Sequence, residues 1–294
     1  VSILGGGALE SQAVGPVLSD VEMAHEARDW TQVAEKLETA RPLVLASDLP
    51  GDVQSALDVF ATYPDLFAEA FGDEEITAER IAYAIATYQR TLISDQTPFD
   101  AFIDGDTNAM TPQQQAGWNA FRGSRCATCH TPPLFTDNEF HNLGLRPNQQ
   151  DTGRAQVTGN PADRGAMKTP TLRNVGLRSA LMHTGQFTSV DQVFPFYGGP
   201  GASGNPNRDA LLPVGTPPPV ANNITAFLTE ALTDPRVANE TFPFDRPTLH
   251  SERAIDNPLV VGTGVAGSGG FVPTIIALVP PNLGNTGFKI GVSN

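Results

Sequence analysis

The chain has 294 residues, 40% hydrophobic and 17% charged, a globular composition with room for two compact domains or one large one. A net charge of −14 excludes nucleic acid as a natural partner, because that surface is met with Lys and Arg. No apolar run reaches the roughly 18 residues a membrane-crossing helix needs. With 28 Gly and 25 Pro, short helices joined by loops are expected. A short helix is predicted to open at Asp20-Val-Glu-Met-Ala-His, a second at Trp30 to Leu37, and a third over 52–61, ending before Pro64. The clearest runs from Thr77 to Leu92, with Thr77 as cap and Ile81, Ile85, Tyr88 and Leu92 forming one stripe. Thr111 caps the next, with Pro112 at its first position. It feeds into RCATCHTPPLF, residues 125–135, beyond which residues 131–188 read as loops. Helices follow over 189–196 and 219–232, the second with an apolar face of Val220, Ile224, Phe227, Leu228 and Leu232. Residues 250–294 are rich in Gly and β-branched residues and read as an extended arm or the start of a β module. No internal repeat is evident.

The only two cysteines are Cys126 and Cys129, and His130 follows directly. Random placement would produce this Cys-x-x-Cys-His spacing in roughly one chain in 10⁴. A redox dithiol would need a βαβ setting, which the surrounding sequence lacks. A zinc site would need further ligands, but no other Cys exists and the next His is His141. Covalent c-type haem needs only what is present. Two sulfurs one helical turn apart reach the two vinyl groups on one porphyrin edge, and the adjoining imidazole turns to the iron. Such attachment is completed outside the cytoplasm, so a periplasmic or other extracytoplasmic location is expected, with a secretion signal removed or upstream. The loops of 131–188 are then expected to wrap the cofactor.

Five further stretches carry a likeness: LESQAVGPVLSDVEM (9–23), ITAERIAYAIATYQRTLIS (76–94), TPFDAFIDGD (97–106), CATCHTPPLFTDNEFHNLGL (126–145) and DRGAMKTPTLRNVGLRSALMHTGQFTSVDQVFPFY (163–197). In order and spacing they resemble the bacterial di-haem cytochrome c peroxidase and MauG family, over about residues 8–235. The resemblance implies a mainly α fold of cytochrome c-like haem domains with short helices and long loops, followed here by the short β-rich C-terminal segment. The expected division is 1–106 for the remainder of an N-terminal peroxidatic domain, 107–249 for the C-terminal haem domain and 250–294 for the arm. One departure is large: the family carries an earlier Cys-x-x-Cys-His and a Trp-Asp-Gly-Arg stretch, and neither is present. We expect the chain to be a piece or processed product whose second haem lies upstream or in a partner chain, rather than a protein that has lost it.

Residue by residue, the resemblance implies His130 as proximal iron ligand and Tyr197, fourteen positions after His183, as distal candidate. A phenolate is a hard donor that lowers the iron potential, which points to the MauG end of the family; the plainer reading is a Tyr packed at a helix end. Met167 and Met182 are rival ligands, with core packing their simpler role. Gln12 and Glu22 match the pair beside the peroxidatic haem, where a carboxylate shuttles a proton between peroxide oxygens; alone, Glu22 would be an ordinary solvated carboxylate. His141 and His183 are expected to hydrogen-bond propionates or an axial ligand, or to be merely satisfied histidines. Arg173 is expected to pair a propionate bidentately. The backbone carbonyls of Arg178 and Ala180 are candidates for a calcium ion. The implied activity is reduction of hydrogen peroxide with electrons from a small redox protein, a cytochrome c or cupredoxin. The alternatives are MauG-like oxidation of an external substrate through a high-valent state, or a non-catalytic cytochrome c subunit; a homodimer or larger complex is open.

Overall fold

A computed structural model describes residues 8–201 and 205–249, so the arm over 250–294 lies outside the described residues. The described chain is mainly helical and forms two compact units, residues 8–93 with 239–249 and residues 94–238.

The first unit comprises α1 (Ala8–Leu18), α2 (Trp30–Thr39), α3 (Gly51–Val59), α4 (Tyr63–Phe71) and α5 (Ala78–Thr91). A short strand, Ala46–Asp48, pairs antiparallel with Thr248–Leu249. Caps set the starts: Asp29 accepts from Gln32 N at 2.9 Å, and Thr77 accepts from Arg80 N at 3.2 Å. Helix α1 packs along α5, and α2 on α4, around Val33, Phe67 and Ile81. Three expectations shift here. Asp20–His25 is a turn rather than a helix, because Val21 and Met23 are 77% and 68% exposed and have no core to pack against among the described residues. Pro64 does not merely end a helix. It sits in the first turn of α4, where Thr62 and Asp65 form a capping box. On α5 the buried face is Ala78, Ile81, Ala82 and Ala86, so small side chains admit α1 while Tyr88 stays exposed.

The second unit holds α6 (Pro98–Ile103), α7 (Pro112–Arg122), α8 (Cys126–Cys129), α9 (Ala155–Thr158), α10 (Val190–Gly198), α11 (Pro218–Ala226) and α12 (Pro235–Ala238). A π-helical turn, Phe227–Ala231, continues α11. Helix α6 belongs to this unit because it carries Phe99 into the unit's core, beside Phe121, Phe135 and Phe227. Helices α7 and α11 meet at Gly117, where an added Cβ would lie 2.0 Å from Asn223 O. Ala221 turns inward on α11 while Val220 stays 36% exposed, a quarter-turn from the expected face. Between α8 and α10 the chain is mostly loop, with one strand pair, Phe140–His141 against Met167–Lys168.

Candidate haem site

Helix α8 is a single turn, closed by His130 N donating to Cys126 O at 2.9 Å. It starts where Cys126 N donates to the Ser124 hydroxyl at 3.2 Å. Both cysteines are free and half-buried. Burial first, then Asp137, Asp209 and Cys126, pushes the Cys129 thiol up to about 11, so it is a neutral thiol at physiological pH.

His130 leaves the turn with its Nδ1 3.1 Å from Phe135 O. A carbonyl only accepts, so Nδ1 carries the proton and Nε2 keeps its lone pair for a metal. Burial lowers the imidazole pKa, outweighing the backbone carbonyls that favour the cation, and so holds the neutral form a metal requires. Phe135 adopts φ 56, a left-handed backbone unusual for a bulky residue. Its side chain is fully buried against Phe99 at 5.2 Å and against Phe121 and Phe227, each at 5.9 Å between ring centroids. Ring packing therefore sustains the strained backbone that aims the carbonyl at His130.

Tyr197 on α10 shares this space. Burial first, then the Cys126 and Cys129 thiols, raises its phenol pKa. Its hydroxyl makes no hydrogen bond among the described residues, although its carbonyl accepts from Val214 N at 2.8 Å. An unpaired phenol beside two free thiols, which share their turn with a neutral imidazole, is a donor set that fits covalent haem. His130 and Tyr197 would hold its iron.

The other expected residues fall in varied places. His141 lies between two carboxylates, with Nδ1 2.6 Å from Asp209 and Nε2 2.9 Å from Asp137. Burial works against its protonation, but those two partners prevail and raise its pKa. Asp137 and Asp209 are both held low: burial opposes this, and the Glu139 and Leu211 backbone N–H groups together with His141 overcome it. Both nitrogens of His141 are thus engaged by carboxylates. Its Nε2 or Nδ1, Cys129 Sγ and an Asp137 oxygen all lie within 4.8 Å of one another. His183 is exposed, with Nε2 2.5 Å from Asp151. Arg173 directs four of its five N–H donors to Pro133 O, Ser94 O and both oxygens of Asp100, leaving one for any other acceptor. Met167 lies in the strand pair and Met182 in a turn at φ 65. The carbonyls of Arg178 and Ala180 follow the 3₁₀ turn Val175–Leu177 and accept no hydrogen bond among the described residues. Gln12 on α1 and Glu22 in the turn after it belong to the first unit, and both are exposed. Asp137, Asp209, Asp100 and Phe135 were not singled out by sequence. Only Asp137 had a signal, four positions before His141.

A Cys-x-x-Cys-His turn on a helical core, followed by long loops, is the mark of a c-type haem-binding unit. The family profile described as "Di-haem cytochrome c peroxidase" matches residues 5–108. The cytochrome-c peroxidase IdrP1 of Pseudomonas sp. (strain SCT) is 30% identical over 261 residues, covering 76% of this chain and 68% of that protein. The cytochrome c551 peroxidase of Nitrosomonas europaea is 32% identical over 189 residues, covering 63% of this chain and 50% of that protein. The diheme peroxidase BthA of Burkholderia thailandensis shares the fold, with TM-score 0.56 and 20% identity over 82% of this chain and 67% of that one. The chain belongs to the di-haem cytochrome c peroxidase family, and spans half to two thirds of the length of these relatives.

Proposed function

We propose that this chain belongs to a di-haem peroxidase and passes electrons through a covalently bound haem to reduce hydrogen peroxide. The observation that carries the reading is the His130 Nδ1 contact to Phe135 O, which places the ring proton on Nδ1 and makes Nε2 the donor atom, directly after a turn that carries two free thiols. Haem bound there supplies reversible one-electron storage. His130 Nε2 and the Tyr197 phenol would hold it, and the aromatic core behind Phe135 would keep water from His130. In the first unit, Glu22 takes a proton from one peroxide oxygen and returns it to the other, while Gln12 holds the peroxide in place. The balance is hydrogen peroxide plus two electrons and two protons giving two waters. A small redox protein in the periplasm supplies the electrons, a second haem lies upstream or in a partner chain, and Arg178 and Ala180 carbonyls bind calcium. Tyr197 favours a second reading, MauG-like oxidation of an external substrate, because a hard anionic donor stabilises oxidised iron.

The test is to produce the chain with its neighbouring sequence in a host that attaches c-type haem, then count irons and follow peroxide consumption with a reduced cytochrome. Two irons per chain with turnover, lowered about 10²–10⁴-fold by Glu22→Gln, are expected. One iron and no turnover would leave an electron-transfer subunit and end the peroxidase reading.

A further inference from the structure

The loop after α8 is held by an unusual ladder. Three consecutive carbonyls each accept from a different side chain. Arg173 Nε donates to Pro133 O at 3.0 Å, the Thr171 hydroxyl to Leu134 O at 2.6 Å, and His130 Nδ1 to Phe135 O at 3.1 Å. Arg173 is itself immobilised. Its Nη1 and Nη2 reach the Asp100 carboxylate at 2.8 and 2.7 Å, Nη1 also donates to Ser94 O at 2.7 Å, and the side chain is 10% exposed. Asp100 in turn belongs to the capping box of α6. It accepts from Thr97 N at 3.0 Å and from the Thr97 hydroxyl at 2.8 Å, and Thr97 is 1% exposed. The Arg173 guanidinium carbon also lies 5.9 Å from the centroid of the Phe135 ring. A fixed helix start is therefore joined, through one planar cation, to Pro133 O, two residues before the carbonyl that orients the imidazole.

The structure assigns Arg173 as a positioning residue for the axial imidazole: anchored on Asp100, it fixes Pro133 and Phe135 so that the Phe135 carbonyl holds His130 Nδ1. The assignment rests on His130 being the iron ligand. Two properties make Arg the fitting residue. Its fork grips both carboxylate oxygens while Nε still reaches the carbonyl, which the single ammonium of Lys cannot do. And the Nδ1 hydrogen bond makes the imidazole a better donor to the metal, so loosening it favours reduced iron.

The experiment compares Arg173→Met, Arg173→Lys and Thr171→Val with wild type, all purified with haem attached. Haem per chain, the reduction potential of this haem and its low-temperature EPR spectrum are measured on each. For Arg173→Met the reduced-to-oxidised ratio at fixed solution potential should rise about tenfold, a shift of about 59 mV for one electron. Arg173→Lys should fall between that and wild type. Thr171→Val, at an exposed position on the same ladder, should shift the ratio the same way by a smaller factor. A residue that merely stabilises the fold would lower the unfolding temperature and leave potential and EPR spectrum unchanged; that result in Arg173→Met overturns the assignment. If Arg173→Met fails to fold, an unchanged potential in Thr171→Val overturns it instead. Wild-type protein without iron on His130 would sink the haem reading itself, a failure visible before any variant is made.

Discussion

Replacing Gly117 by Ala should destabilise the second unit even though helix propensity favours the change by about 1 kcal/mol. The new Cβ would lie 2.0 Å from Asn223 O, 2.7 Å from Asn223 C and 2.8 Å from Phe227 Cβ. Comfortable carbon–oxygen contacts begin at about 3.3 Å, so α7 and α11 must separate by about 1 Å or more. The nearest obstructing atoms are backbone, so no rotamer change relieves them. Displacing α11 also moves Phe227, fully buried and 5.5 to 5.9 Å from the rings of Phe99, Trp118, Phe121 and Phe135. Overpacking costs about 1–3 kcal/mol, and a backbone obstruction belongs at the upper end. Less the propensity gain, about 2 kcal/mol remains. At about 2–4 °C per kcal/mol for a domain of this size, Tm should fall by about 4–8 °C. Thermal unfolding followed by circular dichroism on haem-loaded protein measures it. A Tm equal to or above wild type would show that α7 and α11 do not meet at Gly117, and that the aromatic floor under Phe135 is assembled differently.

The Asp137–His141–Asp209 cluster predicts a bounded stability optimum. His141, with its pKa raised, contributes fully below about pH 6.5 and loses its contribution as pH rises through its folded value. Asp137 and Asp209, with theirs lowered, contribute above about pH 4 and lose it as pH falls through their folded values. Urea midpoints should therefore peak between about pH 4 and 6.5, and His141→Gln should flatten the alkaline limb; an unchanged limb would place the titration elsewhere. Tyr197→Phe removes a hydroxyl with no hydrogen-bond partner among the described residues, so stability should stay within about 0.5 kcal/mol while the haem's EPR spectrum changes. An identical spectrum would remove Tyr197 as a ligand. Cys126→Ser with Cys129→Ser should abolish covalent pigment, read as loss of the haem mass from the denatured chain; retained mass would mean attachment through other atoms.

What was readable in the sequence was chemistry closed over short distances. Cys126, Cys129 and His130 form one turn, and Thr77 and Thr111 each cap a helix by accepting from the backbone N–H three residues on, so residue type and spacing suffice. Where a local signal needed a packing partner, it failed: Asp20 offers a cap, yet Val21 and Met23 stay exposed. The third helix does end before Pro64, as read, but Pro64 also sits in the first turn of α4, behind the Thr62 cap.

The site residues show the same division more sharply. His141 and Asp209 are 68 positions apart, and Arg173 and Asp100 are 73 apart, distances over which a single sequence carries no pairing signal. A long donor side chain near a haem motif suggests a propionate because the propionate is the acceptor one thinks of; the acceptors found here include the main-chain carbonyls of Ser94 and Pro133, which any residue type would supply. Main-chain acceptors leave no mark on the residues that own them. They become visible only once a strained backbone, such as Phe135 at φ 56, turns them toward a donor. That is why the His130 imidazole could be named from its neighbours in the chain, while the groups that aim it had to be found in the fold.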